Sequence, residues 1–351
     1  MKLPFTRTLI AALALALTSA SGCNWRSMLI PSNNAKAGEK VAIDHYARGQ
    51  VLAEGGDLDA ALAELLKAIR SDPELSAAHS AIGDIHRKRG SHRLAVGAYQ
   101  NACRTNPYAF RPHYNLGVTY QALASAAKAV EEYTRHLKEA VNVYLRAVVI
   151  REDDFDANLN LSACYFQLGK YDLAEEYCNA AIAAEPKSPQ AHSNLGIIYD
   201  SQNRLYKAVR AYKDSLELDT NQPKILLNLG STYMRQGMRK SALRCFKLSA
   251  EQDPEDPAAF RQIGQCYYRM KDYEKALEAY EKAISLDEKD ATAHRGLGTV
   301  LITRFVLDQE NKDLREQGLS AWRQSLEIDP DQEDLVKLLR KYSQMESNPK
   351  L

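Results

Sequence analysis

Four asparagines, Asn115, Asn160, Asn194 and Asn228, are followed by Gln262, and every step after the first is thirty-four residues long. A carboxamide carries two donors and an acceptor, the same groups a peptide backbone offers, so a row of them can grip an extended chain without reading its side chains. Each neutral bond nets ~0.5–1.5 kcal/mol, so four alone support roughly micromolar-to-millimolar binding, and other residues must add specificity. Toward the C-terminus stand Lys224, Arg235, Arg261, Arg269 and Arg295, with few acids among the equivalent positions. Guanidinium forks bind carboxylates bidentately, so this stretch points to a protein or peptide ligand that is acidic or ends in a carboxylate.

Histidines recur in the same register, at His45, His79, His113, His192 and His294. Equivalent positions are separated by two helix layers, whereas zinc ligands must converge within ~2.0–2.1 Å of one ion. No metal is expected, and the histidines read as half-buried packing residues. Neither a phosphate loop, a nucleophile elbow nor a zinc motif occurs, so no catalytic residue, cofactor or enzyme activity is expected. A formal net charge of +1, without a concentrated basic footprint, argues against nucleic acid as a partner.

The elements that must carry these residues are set by a second, stronger period. Glycine returns at Gly49, Gly83, Gly117, Gly196, Gly230, Gly264 and Gly298; with glycine as position 8, alanine falls at position 20 in Ala61, Ala95, Ala174, Ala208, Ala242 and Ala276. Small residues on two antiparallel helices let their backbones approach closely. Position 24 fills the remaining gap with Tyr99, Tyr144, Tyr212, Phe246, Tyr280 and Trp322, with Leu65 and Cys178 as smaller exceptions. Position 11 adds Tyr120, Tyr165, Tyr199, Tyr233 and Tyr267, large rings that bury a face while the hydroxyl stays hydrated. Proline at position 32, in Pro73, Pro107, Pro186, Pro254 and Pro330, ends the second helix of each unit. Eight units start near Ala42, Ser76, Phe110, Phe155, Pro189, Pro223, Pro257 and Ala291. One helical hairpin cannot bury its apolar face alone, so the units must stack.

Small residue 8, Tyr 11, Gly 15, Ala 20, aromatic 24 and Pro 32 together resemble the tetratricopeptide repeat, over residues 42–330. The resemblance implies an all-α, right-handed superhelical solenoid whose first helices line a groove, with positions 2, 5, 6, 9, 12 and 13 facing a bound peptide. Position 6 is the amide row, which is similar to the ladder in the repeat arm of O-linked N-acetylglucosamine transferases. Its alternative role is a bond to a neighbouring helix. The lysine–asparagine–asparagine–lysine–arginine set of the chaperone-tail carboxylate clamp is not reproduced.

Residues 1–23 read as an export signal: Lys2 and Arg7 precede an apolar run from Leu9 to Leu17 that is too short to span a bilayer. Ala20, Ser21, Gly22 and Cys23 resemble a bacterial lipobox, which implies lipidation at Cys23; Ala20 stands where that family more often has leucine. Asn24 after the cysteine implies the periplasmic face of the outer membrane, with soluble periplasm as the alternative. Residues 24–40 are expected to form a flexible tether, 331–346 a capping helix with Leu335, Leu338, Leu339 and Tyr342 on one side, and 347–351 a tail.

Five cysteines besides Cys23, namely Cys103, Cys164, Cys178, Cys245 and Cys266, occupy core positions and are expected as buried free thiols, with Cys164 and Cys178, in one repeat, as the pair that an oxidising compartment could bridge. Two repeats are long. In the third, the extra residues are expected to extend the second helix at its start, after Ser125 as N-cap, as a spur; in the eighth, Asp308–Asp313 should form a polar turn. The expected function is a noncatalytic, membrane-tethered adaptor of the bacterial envelope that assembles an envelope or pilus-type complex around a segment held in its groove. A cytoplasmic scaffold, a regulatory partner of a glycosyltransferase-type enzyme, and self-association through the spur are the alternatives.

Overall fold

The structure, a computed structural model, describes residues 33–344, and its seventeen elements are all α-helices. The expected signal peptide, Cys23 and the tail 347–351 lie outside the described residues. The helices pair as hairpins: α1 (Asn33–Glu54) with α2 (Leu58–Ser71), α3 (Ser76–Lys88) with α4 (His92–Thr105), and α5 (Phe110–Ala126) with α6 (Val130–Ile150). Next come α7 (Phe155–Gln167) with α8 (Tyr171–Ala184), α9 (Pro189–Ser201) with α10 (Leu205–Leu218), and α11 (Pro223–Arg235) with α12 (Arg239–Gln252). The last pairs are α13 (Pro257–Arg269) with α14 (Tyr273–Leu286) and α15 (Ala291–Leu307) with α16 (Lys312–Ile328), followed by α17 (Glu333–Ser343). The chain divides into two compact units between Pro112 and His113, inside α5. Within the units second helices pack on the first helix of the next hairpin, α2 on α3, α6 on α7, α8 on α9, α10 on α11, α12 on α13 and α14 on α15, and α16 packs on α17, so the fold is a helical repeat stack.

Local chemistry sets the ends. Asp154, Ser188 and Asp290 each accept a hydrogen bond from the amide three residues on, the N-cap that satisfies an otherwise orphaned donor. The turn inside most hairpins needs one residue in the left-handed region, supplied by Gly90, Gly169 and Gly237, and by Asn203 and Lys271 where glycine is missing. The histidines do more than pack. His79, His192 and His294 each donate from Nε2 to the carbonyl six residues back, on Pro73, Pro186 and Glu288, and Asn158 donates likewise to Glu152 O at 2.9 Å. In these four repeats the residue at position 4 ties the new helix to the turn before it, satisfying a turn carbonyl; Leu226 and Phe260 at the same position cannot.

The core is the contact between position 8 and position 24. A methyl placed on Gly83, Gly117, Gly196, Gly230 or Gly298 would stand 2.4–2.6 Å from the ring of Tyr99, Tyr144, Tyr212, Phe246 or Trp322, far inside van der Waals contact. In the fourth repeat Ser162 replaces the glycine and Cys178 the ring, so one side of the contact grows as the other shrinks. Ser162 Oγ then donates to Ala174 O at 2.7 Å. The Tyr99 hydroxyl donates to Asp84 and the Tyr144 hydroxyl to Gln121, each at 2.6 Å. The five described cysteines are free thiols; burial pushes Cys164, Cys178 and Cys266 up to about 12.

Three sequence expectations are corrected. Residues 33–40 are helical rather than part of a flexible tether; the span has no proline, and Gly38 lets α1 approach the end of α2, where an added Cβ would lie 3.3 Å from Ser71 O. Ser125 is not an N-cap but sits in the last turn of α5, and α6 begins at Val130 after Ala129. The insertion lengthens both helices because both can bury the result: Ala124 on α5 and Leu137 on α6 are each 1% exposed, and Tyr120 stacks on His136 at 6.1 Å. On α17, Leu335 is fully buried with Leu339 and Tyr342 beside it, whereas Leu338 is 38% exposed, since it points past the edge of the apolar patch it was expected to cover.

Candidate peptide-binding face

In the second unit the position-6 amides lie on the first helices α5, α7, α9, α11 and α13, one per hairpin, because that position recurs with the repeat. They are not equivalent. Asn115 is buried, inside the packing rather than on a wall. Asn160 is half-buried and its Nδ2 donates to the Tyr114 hydroxyl at 3.3 Å, a bond between neighbouring hairpins. Asn194, Asn228 and Gln262 are half-buried, and among the described residues their amides have no hydrogen-bond partner. The row stops at Gly296, where a side chain would begin 2.4 Å from the Tyr280 ring. The amide row therefore splits into one buried member, one bonded to a neighbouring hairpin and three half-buried members open to a ligand.

The basic residues divide in the same way. Arg235 Nη1 donates to Asp200 Oδ2 at 2.7 Å and its Nη2 to Asn203 Oδ1 at 2.7 Å, and Thr232 donates to the same carboxylate at 2.9 Å. Arg261 is ion-paired with Asp290, a buried carboxylate that also caps α15 by accepting from Ala293 N. These two guanidiniums have acidic partners of their own, contrary to the sequence expectation that few acids oppose them. Lys224 and Arg269 are exposed and Arg295 is half-buried; none of the three has an ion-pair partner among the described residues.

Gln262 and Arg269 meet in one cleft of about 410 Å³ between α11 and α13, with Ser231, Met234, Arg235, Arg239 and Gln265 completing its walls. Arg239 was not singled out by the repeat register. It opens α12 just after the left-handed turn at Gly237, which brings a second-helix side chain round to the first-helix face. A basic residue two positions after the position-15 glycine is the signal that would have found it. Arg239 is exposed and, like Arg269, makes no ion pair among the described residues. The cleft thus offers two unpaired guanidiniums, one neutralised one, and two glutamine amides, a set suited to a carboxylate attached to a peptide backbone.

No helix among the described residues is long and apolar enough to cross a membrane, and no His, Cys, Asp and Glu cluster among them could hold a metal ion. Four tetratricopeptide repeat models match the chain, over residues 46–110, 153–221, 225–258 and 257–290, together more than half of it. Similarity to curated proteins is local. The human RANBP2-like and GRIP domain-containing protein 1 is 36% identical over 58 residues, 16% of this chain and 3% of that protein. The human E3 SUMO-protein ligase RanBP2 matches at the same identity over 2% of its length. Among solved structures, the APC/C hetero-tetramer Cut9–Hcn1 superposes at a TM-score of 0.52 with 16% identity, covering 81% of this chain and 52% of that one. Pseudomonas aeruginosa pilF gives a TM-score of 0.50 with 17% identity, covering 62% and 94% respectively. These likenesses establish the helical-repeat fold, and with the four matched models and the position-by-position core, the chain belongs to the tetratricopeptide repeat family.

Proposed function

We propose that this chain is a scaffold whose first-helix face in the second unit holds an extended, acidic segment of a partner protein. Tetratricopeptide repeats serve generally as noncatalytic protein–protein interaction scaffolds, and the coarse function follows from the family. The finer reading is carried by one observation: Asn194, Asn228 and Gln262 repeat one partnerless amide at the same register position of three successive first helices, and the last of them, Gln262, lines a cleft with the unpaired guanidiniums of Arg239 and Arg269. Amides would take the backbone, and arginines the carboxylates.

The test is a titration of the full chain with fluorescent acidic and neutral peptides of equal length at low and high salt. The acidic series should bind more tightly, weaken with salt, and lose tenfold or more on joint Arg239→Glu and Arg269→Glu substitution. Equal, salt-insensitive affinity for both series would remove the electrostatic cleft from the mechanism.

The scaffold is held to the outer membrane through a lipid on Cys23; the apolar run Leu9 to Leu17 and the lipobox-like Ala20, Ser21, Gly22 and Cys23 support this. Metabolic labelling with an alkyne fatty acid, followed by fractionation, tests it. The wild-type chain should carry the label and sediment with membranes, and Cys23→Ser should do neither; an unlabelled, soluble wild-type chain would support the cytoplasmic or periplasmic alternative.

A further inference from the structure

Position 28 of the repeat, on the second helix, carries Ile69, Val148, Ile182, Leu216, Ile284 and Leu326 in six of the eight units, with Cys103 in another. The aliphatic residues at Ile69, Ile182, Leu216, Ile284 and Leu326 are all partly buried against the local core. In the sixth unit the position is Ala250. Beside it opens a cavity of about 550 Å³ between α12 and α14, with Ala250, Phe260, Ile263 and Ala279 as apolar floor. The register says what is missing there: one aliphatic side chain of leucine size, which the same fold accepts at this position in neighbouring hairpins.

Charge at the rim narrows the occupant. Lys247 lies over the Tyr267 ring at 5.6 Å and Lys282 over the Phe260 ring at 5.7 Å, and among the described residues neither makes an ion pair. Cation–π contact holds both ammonium groups at the mouth of the slot without neutralising them. Lys275, the third lysine of the rim, already has Asp272 as partner at 2.7 Å. Glu251 and Glu278 complete the lining, so a polyanion such as nucleic acid would be repelled at two points, while a single well-placed carboxylate would not.

We infer that the slot between α12 and α14 is a second docking site, for a protein segment that inserts one aliphatic side chain beside Ala250 and sets an adjacent carboxylate against Lys247 and Lys282. The site lies on the other face of α13 from the cleft described above: Phe260, Ile263 and Tyr267 share one helical stripe, whereas Gln262, Gln265 and Arg269 share another. The inference therefore stands whether or not that cleft binds peptide.

The experiment uses the full chain and a displayed library of random dodecapeptides, selected on the wild-type protein and counter-selected on Ala250→Leu. Leucine at position 28 is native to this fold, so that variant should fold with unchanged or higher thermal stability while filling the slot. Enriched peptides should pair an aliphatic residue with a neighbouring acid. A synthetic representative should bind at least tenfold more weakly to Ala250→Leu and to Lys247→Glu/Lys282→Glu, and with unchanged affinity to Arg239→Glu/Arg269→Glu. Enrichment of no peptide that distinguishes Ala250→Leu from the wild type, or of peptides without an acid, would overturn the assignment. A representative lost on Arg239→Glu/Arg269→Glu but retained on Ala250→Leu would assign binding to the other face and overturn it equally.

Discussion

Ser162 and Cys178 break the repeat's residue code together, and that makes the code testable. Tyrosine at 178 would drive a ring into Ser162, an overpacking that costs ~1–3 kcal/mol, whereas Ser162→Gly opens the space that six other repeats give an aromatic ring. Cys178→Tyr alone should lower the urea midpoint, and adding Ser162→Gly should recover most of the loss; additive destabilisation would show that the two positions do not share one contact. At this scale much was legible, because glycine at 8, alanine at 20 and an aromatic at 24 are three faces of one helix crossing. Ion pairing was not. Arg235 finds Asp200 thirty-five residues back and Arg261 finds Asp290 twenty-nine residues on, one repeat away in each direction, and a register read position by position does not show which long side chains reach across hairpins. Asn115 and Asn160 escaped for the same reason, since a half-polar position looks alike whether its amide meets Tyr114 or open water.

The hairpin is the element that either carries a tie of its own or inherits one from its neighbour, and the first hairpin has a titratable one. Glu64 on α2 accepts from Lys67 Nζ at 2.6 Å and from His45 Nδ1 on α1 at 2.7 Å. The bond from Lys67, then that from His45, holds its carboxyl down to about 2, below the ~4.3 of an unfolded glutamate. A carboxyl depressed on folding adds stability above its unfolded value and loses it as pH falls through the folded one. The protection of α1 and α2 against hydrogen exchange, taken relative to the intrinsic amide rate at each pH, should thus fall between about pH 4.5 and 2, and Glu64→Gln should flatten that part of the profile. An unchanged slope would mean that the carboxylate does not tie the hairpin. Element boundaries were legible where a proline or a capping aspartate marks them, as at Pro189, Pro223 and Asp290. They were not in the third repeat, where a stretch without glycine or proline can lengthen either helix, and the burial of both Ala124 and Leu137 decides in favour of both.

At the scale of the whole molecule, stability accumulates within each unit from neighbour to neighbour, because a hairpin buries its apolar side against the next. After the hairpin of α15 and α16 the next described helix is α17, which lays Leu335, Leu339 and Tyr342 over Ile302, Leu319 and Trp322, with the Trp322 and Tyr342 rings 5.9 Å apart. Leu335 is fully buried, so Leu335→Ala should cost ~2–5 kcal/mol at that end. In a nearest-neighbour array the loss must stay local: amide exchange should accelerate strongly in α15, α16 and α17, weakly in α13 and α14, and not in α7 and α8. An equal acceleration from α7 to α17 would mean that the second unit opens as one cooperative block, and the two faces of α13 could then not be occupied independently. A steep decay from the C-terminal end would instead let a partner bound at one hairpin stiffen its neighbours while leaving distant ones unchanged, the behaviour a scaffold with two separate docking faces requires.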